Sequence, residues 1–180
     1  MILFLGKEAY PYNKVVKHLK KAFQILILIL ISVSCSESKK ENITEKRTLY
    51  VFDLDSLKRT ENYKLTIETK DSILKYQYRN LTDNEKNVTV RYNLNSKVLS
   101  LDFWEFELAE KSKYSDSELS NMEFDLFQLK ESVTDGNGPM LFNENYGLLN
   151  IDNGWGMKFI YLKTENKPEL TKDIIANLNK

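Results

Sequence analysis

From Arg47 onward, apolar and polar residues alternate with a period of two, the pattern of strands that have one buried and one wet face. Tyr63, Leu65 and Ile67 alternate with Lys64, Thr66 and Glu68; Leu74, Tyr76 and Tyr78 alternate with Lys75 and Gln77; Val88, Val90, Tyr92 and Leu94 alternate with Thr89, Arg91 and Asn93. The connections, Lys70-Asp71, Thr82 to Lys86 and Asn95-Ser96, are short and polar. Links of that length predict antiparallel neighbours joined as a meander.

Between Leu99 and Leu108 the apolar set changes phase, from Leu99, Leu101 and Phe103 to Trp104, Phe106 and Leu108. A single straight strand would send the two sets to opposite faces, so the spacing predicts a bulge or bend near Phe103-Trp104, or a strand covered on both sides. Lys111 to Asn121 reads as a polar loop with a helical turn capped by Ser115 or Ser117, and Met122, Phe124 and Leu126 resume a strand. Asp135-Gly136-Asn137-Gly138-Pro139 reads as a loop, and Asn153-Gly154 carries the chemistry of a type I′ hairpin joining Tyr146 to Ile151 with Met157 to Leu162. Both arms are apolar on both faces, which predicts the most buried part of the sheet. Pro168 opens a helix whose apolar stripe is Leu170, Ile174, Ile175 and Leu178. The fold expected is mainly β: a single antiparallel, curved, meander-type sheet with a short C-terminal helix, one domain over residues 47 to 180.

Ahead of this domain stands KAFQILILILISVSC, residues 21 to 35, ending on the only cysteine of the chain. Its apolar run, Ala22 to Val33, would make a helix of roughly 18 Å, whereas a bilayer core needs about 20 residues. The length suits a signal-peptide h-region, with Lys14, Lys17, Lys20 and Lys21 as the positive n-region. The arrangement resembles a bacterial lipoprotein signal peptide: Val33, Ser34 and Cys35 fit the lipobox, and Ser32 stands where an aliphatic residue is preferred. The resemblance implies cleavage before Cys35, a diacylglycerol on its thiol and acylation of the new amino group. An uncleaved signal anchor, or a buried helix with a free thiol, is the competing reading. Residues 1 to 13 sit awkwardly ahead of such a signal, and a translation start at Val15 or Val16 accounts for them. The organisation expected is a signal peptide over residues 1 to 34, a lipidated Cys35 with a flexible tether over 35 to 46, and the β-rich domain.

Processing changes the charge balance. Loss of residues 1 to 34 removes Lys7, Lys14, Lys17, Lys20 and Lys21 from 26 basic residues and Glu8 from 26 acids, leaving 21 against 25 and a net charge of −4. The basic residues form no continuous stripe, so no nucleic-acid partner is expected. His18, the only histidine, also leaves. The mature chain then has no histidine and an acylated cysteine, which rules out histidine general acid/base catalysis, Ser-His-Asp or Cys-His nucleophiles and His/Cys metal sites.

Few residues outside the anchor suggest chemistry. Asp135, Asn137 and the intervening glycine partly match a calcium loop but lack the further oxygen ligands and the distant Glu. Asp53 and Asp55 carry the spacing of a magnesium phosphotransferase without its glycine-rich loop. Glu105 and Glu107 share one strand face, about 6.7 Å apart, and are expected to line the wet face opposite Trp104 and Phe106 rather than act as a glycosidase pair. Asp55-Ser56-Leu57 and Asp71-Ser72-Ile73 resemble the Asp-Ser/Thr-aliphatic acceptor of the general O-glycosylation system of Bacteroidota, making Ser56 and Ser72 candidate glycan sites. Asn42, Asn80 and Asn87 match the N-glycosylation pattern. No catalytic residue, metal or cofactor is expected.

The function expected is that of a lipid-anchored envelope lipoprotein acting as a non-enzymatic binding or assembly factor, with a protein, lipid or glycan ligand. The alternative is a carboxylate-based hydrolase of an envelope polymer. Glu37 and Glu41 are separated by Lys39-Lys40, a poor fit to an acid-rich surface-export signal, so the outer membrane's periplasmic face is the location expected.

Overall fold

The computed structural model describes residues 43–131 and 136–178. In chain order the strands are β1 (Ile43–Asp53), β2 (Ser56–Lys70), β3 (Ile73–Asn80), β4 (Val88–Asn93), β5 (Leu99–Leu101), β6 (Trp104–Ser115), β7 (Glu123–Leu129), β8 (Met140–Asn143), β9 (Gly147–Asp152) and β10 (Met157–Lys163), followed by helix α1 (Leu170–Leu178). Every strand pairs antiparallel with its sequence neighbours, and β1 also pairs with β10 over Arg47 to Asp53 against Met157 to Lys163. The sheet is therefore a closed ten-stranded barrel, not the open curved meander expected from the pattern. Local alternation specifies each neighbouring pair, but the pairing that closes the barrel joins the two ends of the domain, and nothing in a local pattern marks it.

Closure gives the sheet an inside and an outside. The interior cluster draws on all ten strands, including Leu49, Val51, Tyr63, Leu65, Tyr76, Tyr78, Val90, Tyr92, Leu99, Phe106, Phe127, Met140, Phe142, Leu148 and Tyr161. A second cluster lies on the outer face, where Leu170, Ile174 and Ile175 of α1 cover Phe52, Phe124, Leu141, Leu149, Ile160 and Leu162. The strands under the helix are thus buried on both faces, which explains the doubly apolar arms of the β9–β10 hairpin; Phe159, however, is half-buried. The outer wall elsewhere carries Lys64, Glu68, Lys75, Arg79, Arg91 and Glu107, at least partly exposed. A transmembrane barrel needs an apolar outward band about 25 Å tall; here that arrangement is inverted.

Several local expectations change. β1 begins at Ile43, and Ile43 to Lys46, placed by sequence in the tether, pair with Ile67 to Lys64. The phase change near Phe103-Trp104 is a hairpin turn rather than a bulge: Asp102 and Phe103 connect β5 to β6, Leu101 stands opposite Trp104 and Leu99 opposite Phe106 on the inward face, and Phe103 is left exposed at the tip. Lys111 to Ser115 belong to β6, whose pairing with β7 is irregular on both sides of Glu110. Asp116, rather than Ser115 or Ser117, caps the short 3-10 turn Ser117–Leu119 through its side chain. The β9–β10 connection is a four-residue turn, residues 153 to 156, with positive φ at Gly154 and Gly156 but not at Asn153, so it is not type I′.

Because neighbours alternate in direction, the turns after β1, β3, β5, β7 and β9 lie at one end of the barrel, termed here the lower rim. The start of β1, the end of β10 and the turns after β2, β4, β6 and β8 lie at the upper rim. Residues 40 to 180 form a compact unit by themselves, so a chain beginning there carries every strand and both apolar clusters.

Gly147 opens β9 with φ of 87°, and a Cβ there would collide with the Tyr78 hydroxyl and the Tyr76 ring. Gly147→Ala combines a left-handed backbone with overpacking, and chemical denaturation should register a loss of roughly 2 to 4 kcal/mol.

Candidate binding mouth

The upper rim holds a cleft of about 270 Å³ lined by Tyr92, Glu123, Asp125, Phe127, Phe142, Asn143, Glu144 and Asn145. Its floor is made by three rings from β4, β7 and β8: Tyr92 lies 5.1 Å from Phe142 and 6.0 Å from Phe127, and Phe127 lies 5.8 Å from Phe142, with two of the contacts edge-to-face. Strand parity sets this up, because Asp125 stands opposite Phe142 and Phe127 opposite Met140, which turns the odd positions of β7 inward. The wall is acidic. Ser112, held at φ of 51° in the irregular part of β6, donates from its backbone N–H to Asp125 Oδ1 at 2.8 Å and from its hydroxyl to Glu123 Oε2 at 2.7 Å. Lys97 donates to Glu144 at 3.3 Å and lies 5.6 Å from the centre of the Tyr92 ring. Burial, reinforced by Glu144, pushes the Tyr92 hydroxyl up to about 12. The cleft therefore offers carboxylate and amide acceptors around an apolar floor, suited to a small ligand with hydrogen-bond donors and an apolar body.

Beside the mouth, a buried cation braces the barrel. Arg47 is fully buried; its Nη2 donates to the Tyr146 carbonyl at 2.9 Å, and its guanidinium stacks 4.0 Å from the centre of the Tyr146 ring. Nη2 also lies 2.7 Å from Glu45 Oε2, an ion pair whose geometry falls outside that of a hydrogen bond. Lys163 reaches the other Glu45 oxygen at 3.0 Å, and the Tyr146 hydroxyl donates to the Tyr161 carbonyl at 3.1 Å. Nε and Nη1 of Arg47 have no hydrogen-bond partner among the described residues. Burial is the main cause that pushes the Tyr146 hydroxyl up to about 12 and those of Tyr76, Tyr78 and Tyr161 higher still, so all four stay protonated.

A second polar knot forms on β2 and β3. Glu61 accepts from Arg59 Nε at 2.6 Å, Lys86 Nζ at 3.1 Å and Asn80 Nδ2 at 2.7 Å. Burial raises the Glu61 carboxyl, but the hydrogen bonds and charges of Arg59 and Lys86 outweigh it and hold it below its ordinary value. Asn80 Oδ1 accepts from the Thr82 and Asp83 backbones and the Thr82 hydroxyl, so this N-glycosylation match is a structural residue. Asn87 Oδ1 accepts from Asn80 N.

The other residues singled out by sequence are dispersed. Cys35 and Asn42 lie outside the described residues, as does Asp135 of the calcium-like loop. Ser56 is exposed at the start of β2 on the lower rim, whereas Ser72 is half-buried in the β2–β3 turn on the upper rim. Asp53 and Asp55 do not converge: Asp53 lies 3.6 Å from Lys58, and Asp55 accepts from Lys158 at 2.8 Å. Glu105 and Glu107 are exposed and point outward while Phe106 is fully buried, the wet-face arrangement expected, and Glu105 pairs with Lys130 at 2.9 Å. Among the described residues, no group of three or more Asp, Glu, Cys or His side chains is placed to hold a metal ion. Scans of family models, curated proteins and solved structures find no match to this chain.

Sequence reasoning missed the mouth because its members come from β4, β7 and the β8–β9 turn. It missed Arg47 because a lone arginine heading a strand resembles a solvated position. The one available signal was parity, since Arg47 shares the phase of Leu49 and Val51.

Two measurements check these networks. Arg47→Ala removes the buried partner of Glu45 and of the Tyr146 carbonyl and ring, and denaturation should read a loss of roughly 3 to 5 kcal/mol. The Glu61 contribution is fully present above the unfolded-state value of 4.5 and is lost as pH falls through the lower folded value. Glu61→Gln should accordingly flatten the acid limb of a stability-versus-pH curve, and an unchanged limb would assign acid sensitivity to other carboxylates.

Proposed function

We propose that this protein is a lipid-anchored envelope lipoprotein that works as a non-enzymatic binding or assembly factor. The observation that carries the anchor is the lysine-flanked aliphatic run ending in Val33-Ser34-Cys35. Support for a binding role comes from the mouth at the upper rim, where an aromatic floor is ringed by acceptors. The partners of the paired acids also favour binding over hydrolysis: Asp53, Asp55 and Glu105 each lie beside a lysine and none faces another across a cleft. Eight positions separate Cys35 from Ile43, a reach of at most about 28 Å. A lipid on Cys35 would therefore keep the upper rim close to its bilayer, on the periplasmic face of an outer membrane in this reading. O-glycosylation at Ser56 is compatible with its exposure, and Ser72 is the less accessible acceptor.

The second reading, a carboxylate-based hydrolase, rests on Glu123 and Asp125, which line the same cleft. Under the binding reading the purified protein degrades no envelope polymer; under the hydrolytic one it does, and Asp125→Asn abolishes that activity.

The anchor is tested directly. Radiolabelled palmitate should enter the wild-type protein and not Cys35→Ala, which should accumulate as unprocessed or soluble exported product. Lack of label in the wild type refutes the anchor. Protease added to intact cells should spare the domain, and complete shaving with periplasmic markers intact would move it to the cell surface.

A further inference from the structure

Among the described residues, the large hydrophobic side chains more than half exposed are Leu54 at 78%, Leu57 at 52%, Leu81 at 58%, Phe103 at 80% and Trp155 at 68%. All five belong to the lower rim: Leu54 and Leu57 to the β1–β2 turn and the start of β2, Leu81 to the β3–β4 connection, Phe103 to the β5–β6 turn and Trp155 to the β9–β10 turn. Hairpin tips ordinarily carry Gly, Asn, Asp or Ser, and a bulky apolar residue there gains little from the core. Leu54 is additionally held at φ of 45°, a left-handed conformation unfavourable for leucine. Trp155 is set between Gly154 and Gly156, both at positive φ, while Asn153 Oδ1 accepts from Trp155 N and Met157 N and fixes the turn that presents the ring. Phe103 leans on Trp104, with ring centres 4.6 Å apart, yet all five side chains keep more than half of their surface exposed.

We infer that the lower rim is a membrane-contacting surface, whose apolar tips enter the interfacial region of a lipid bilayer. The tips stand on four separate connections around the barrel end. Leu54 and Trp155 are neighbours, because Leu54 N donates to the Gly156 carbonyl at 3.0 Å. Phe103 is set apart from them by the β3–β4 connection on one side and the β7–β8 connection on the other. A protein partner is usually met by one contiguous patch with a fully desolvated centre, whereas separated wedges suit a fluid medium that closes around each. Tryptophan, phenylalanine and leucine are the residues that favour this zone. Charges of both signs lie between the tips, Asp53, Asp55 and Asp102 with Lys58 and Lys86, so zwitterionic headgroups fit better than an anionic surface. The rim does not depend on Cys35, since β1 enters the barrel from the opposite end; in a molecule anchored through Cys35 it faces away from the anchoring bilayer and meets a second membrane surface.

The test uses residues 40 to 180, which lack both the signal segment and Cys35, so a failure of the lipid anchor leaves it unaffected. In a Trp104→Phe background, Trp155 is the only tryptophan. Mixing with phosphatidylcholine vesicles should shift its emission to the blue, allow quenching by lipids brominated along the acyl chain, and give saturable co-sedimentation. The triple variant Leu54→Ser, Phe103→Ser, Trp155→Ser should lower co-sedimentation at least tenfold while near-ultraviolet circular dichroism shows the barrel intact. Absence of vesicle binding by the unsubstituted domain, or equal binding by the triple variant, overturns the inference. Self-association that the triple variant abolishes, without vesicle binding, overturns it in favour of a second copy as the partner.

Discussion

Pairing of β1 with β10 is the constraint on which the rest of the molecule depends. Without it the sheet has two free edges, the interior cluster is open along one side, and the face that α1 covers is split, since Phe52 belongs to β1 and Ile160 to β10. Polar links across the seam reinforce the ladder, Lys163 to Glu45 spanning 118 residues and Lys158 to Asp55 spanning 103, and Arg47 of β1 further reaches Tyr146 in the β8–β9 turn, 99 residues away. Each such contact is made only after a long loop has closed, with an entropic cost that grows slowly with length. Folding is accordingly expected to be slow for a domain of this size, because the decisive contacts are distant in sequence.

Arg47 illustrates how this seam is held. A guanidinium removed from water is costly unless its charge and donors are matched; here an acid, a carbonyl and an aromatic face meet one side of it, while Nε and Nη1 have no hydrogen-bond partner among the described residues. The same geometry ties the β8–β9 turn, which supplies Glu144 and Asn145 to the mouth, to the first strand. Closure and the shape of the upper rim are thus one physical event. Gly147, next in the chain after Tyr146, lies against the Tyr78 hydroxyl, which accepts from Leu148 N at 2.7 Å, so the interior aromatics set the position of that turn from below.

The two ends of the barrel differ in character. Acids and amides crowd the upper rim around a buried aromatic floor, while the lower rim carries exposed apolar tips among charges of both signs. That polarity follows from strand parity at the upper end and from turn composition at the lower one. The chain enters at the upper end, so the two surfaces face opposite directions, and an anchored molecule would present them to different surroundings.

Much of this was written in local pattern. The alternation at Tyr63 to Ile67, Tyr76 to Tyr78 and Val88 to Tyr92 determined which side chains face the core, and the stripe of Leu170, Ile174 and Ile175 determined which face of the helix is buried, because both signals need only the geometry of one element. The candidate anchor, too, is a property of contiguous residues. What tertiary structure alone decided was the closure of the sheet, the burial of Arg47, the assembly of Tyr92, Asp125, Phe142 and Glu144 into one mouth, and the gathering of Leu54, Phe103 and Trp155 onto one rim. Those depend on which distant strands pair and in what register, a choice made by the summed burial of two apolar clusters and written in no single stretch of the chain.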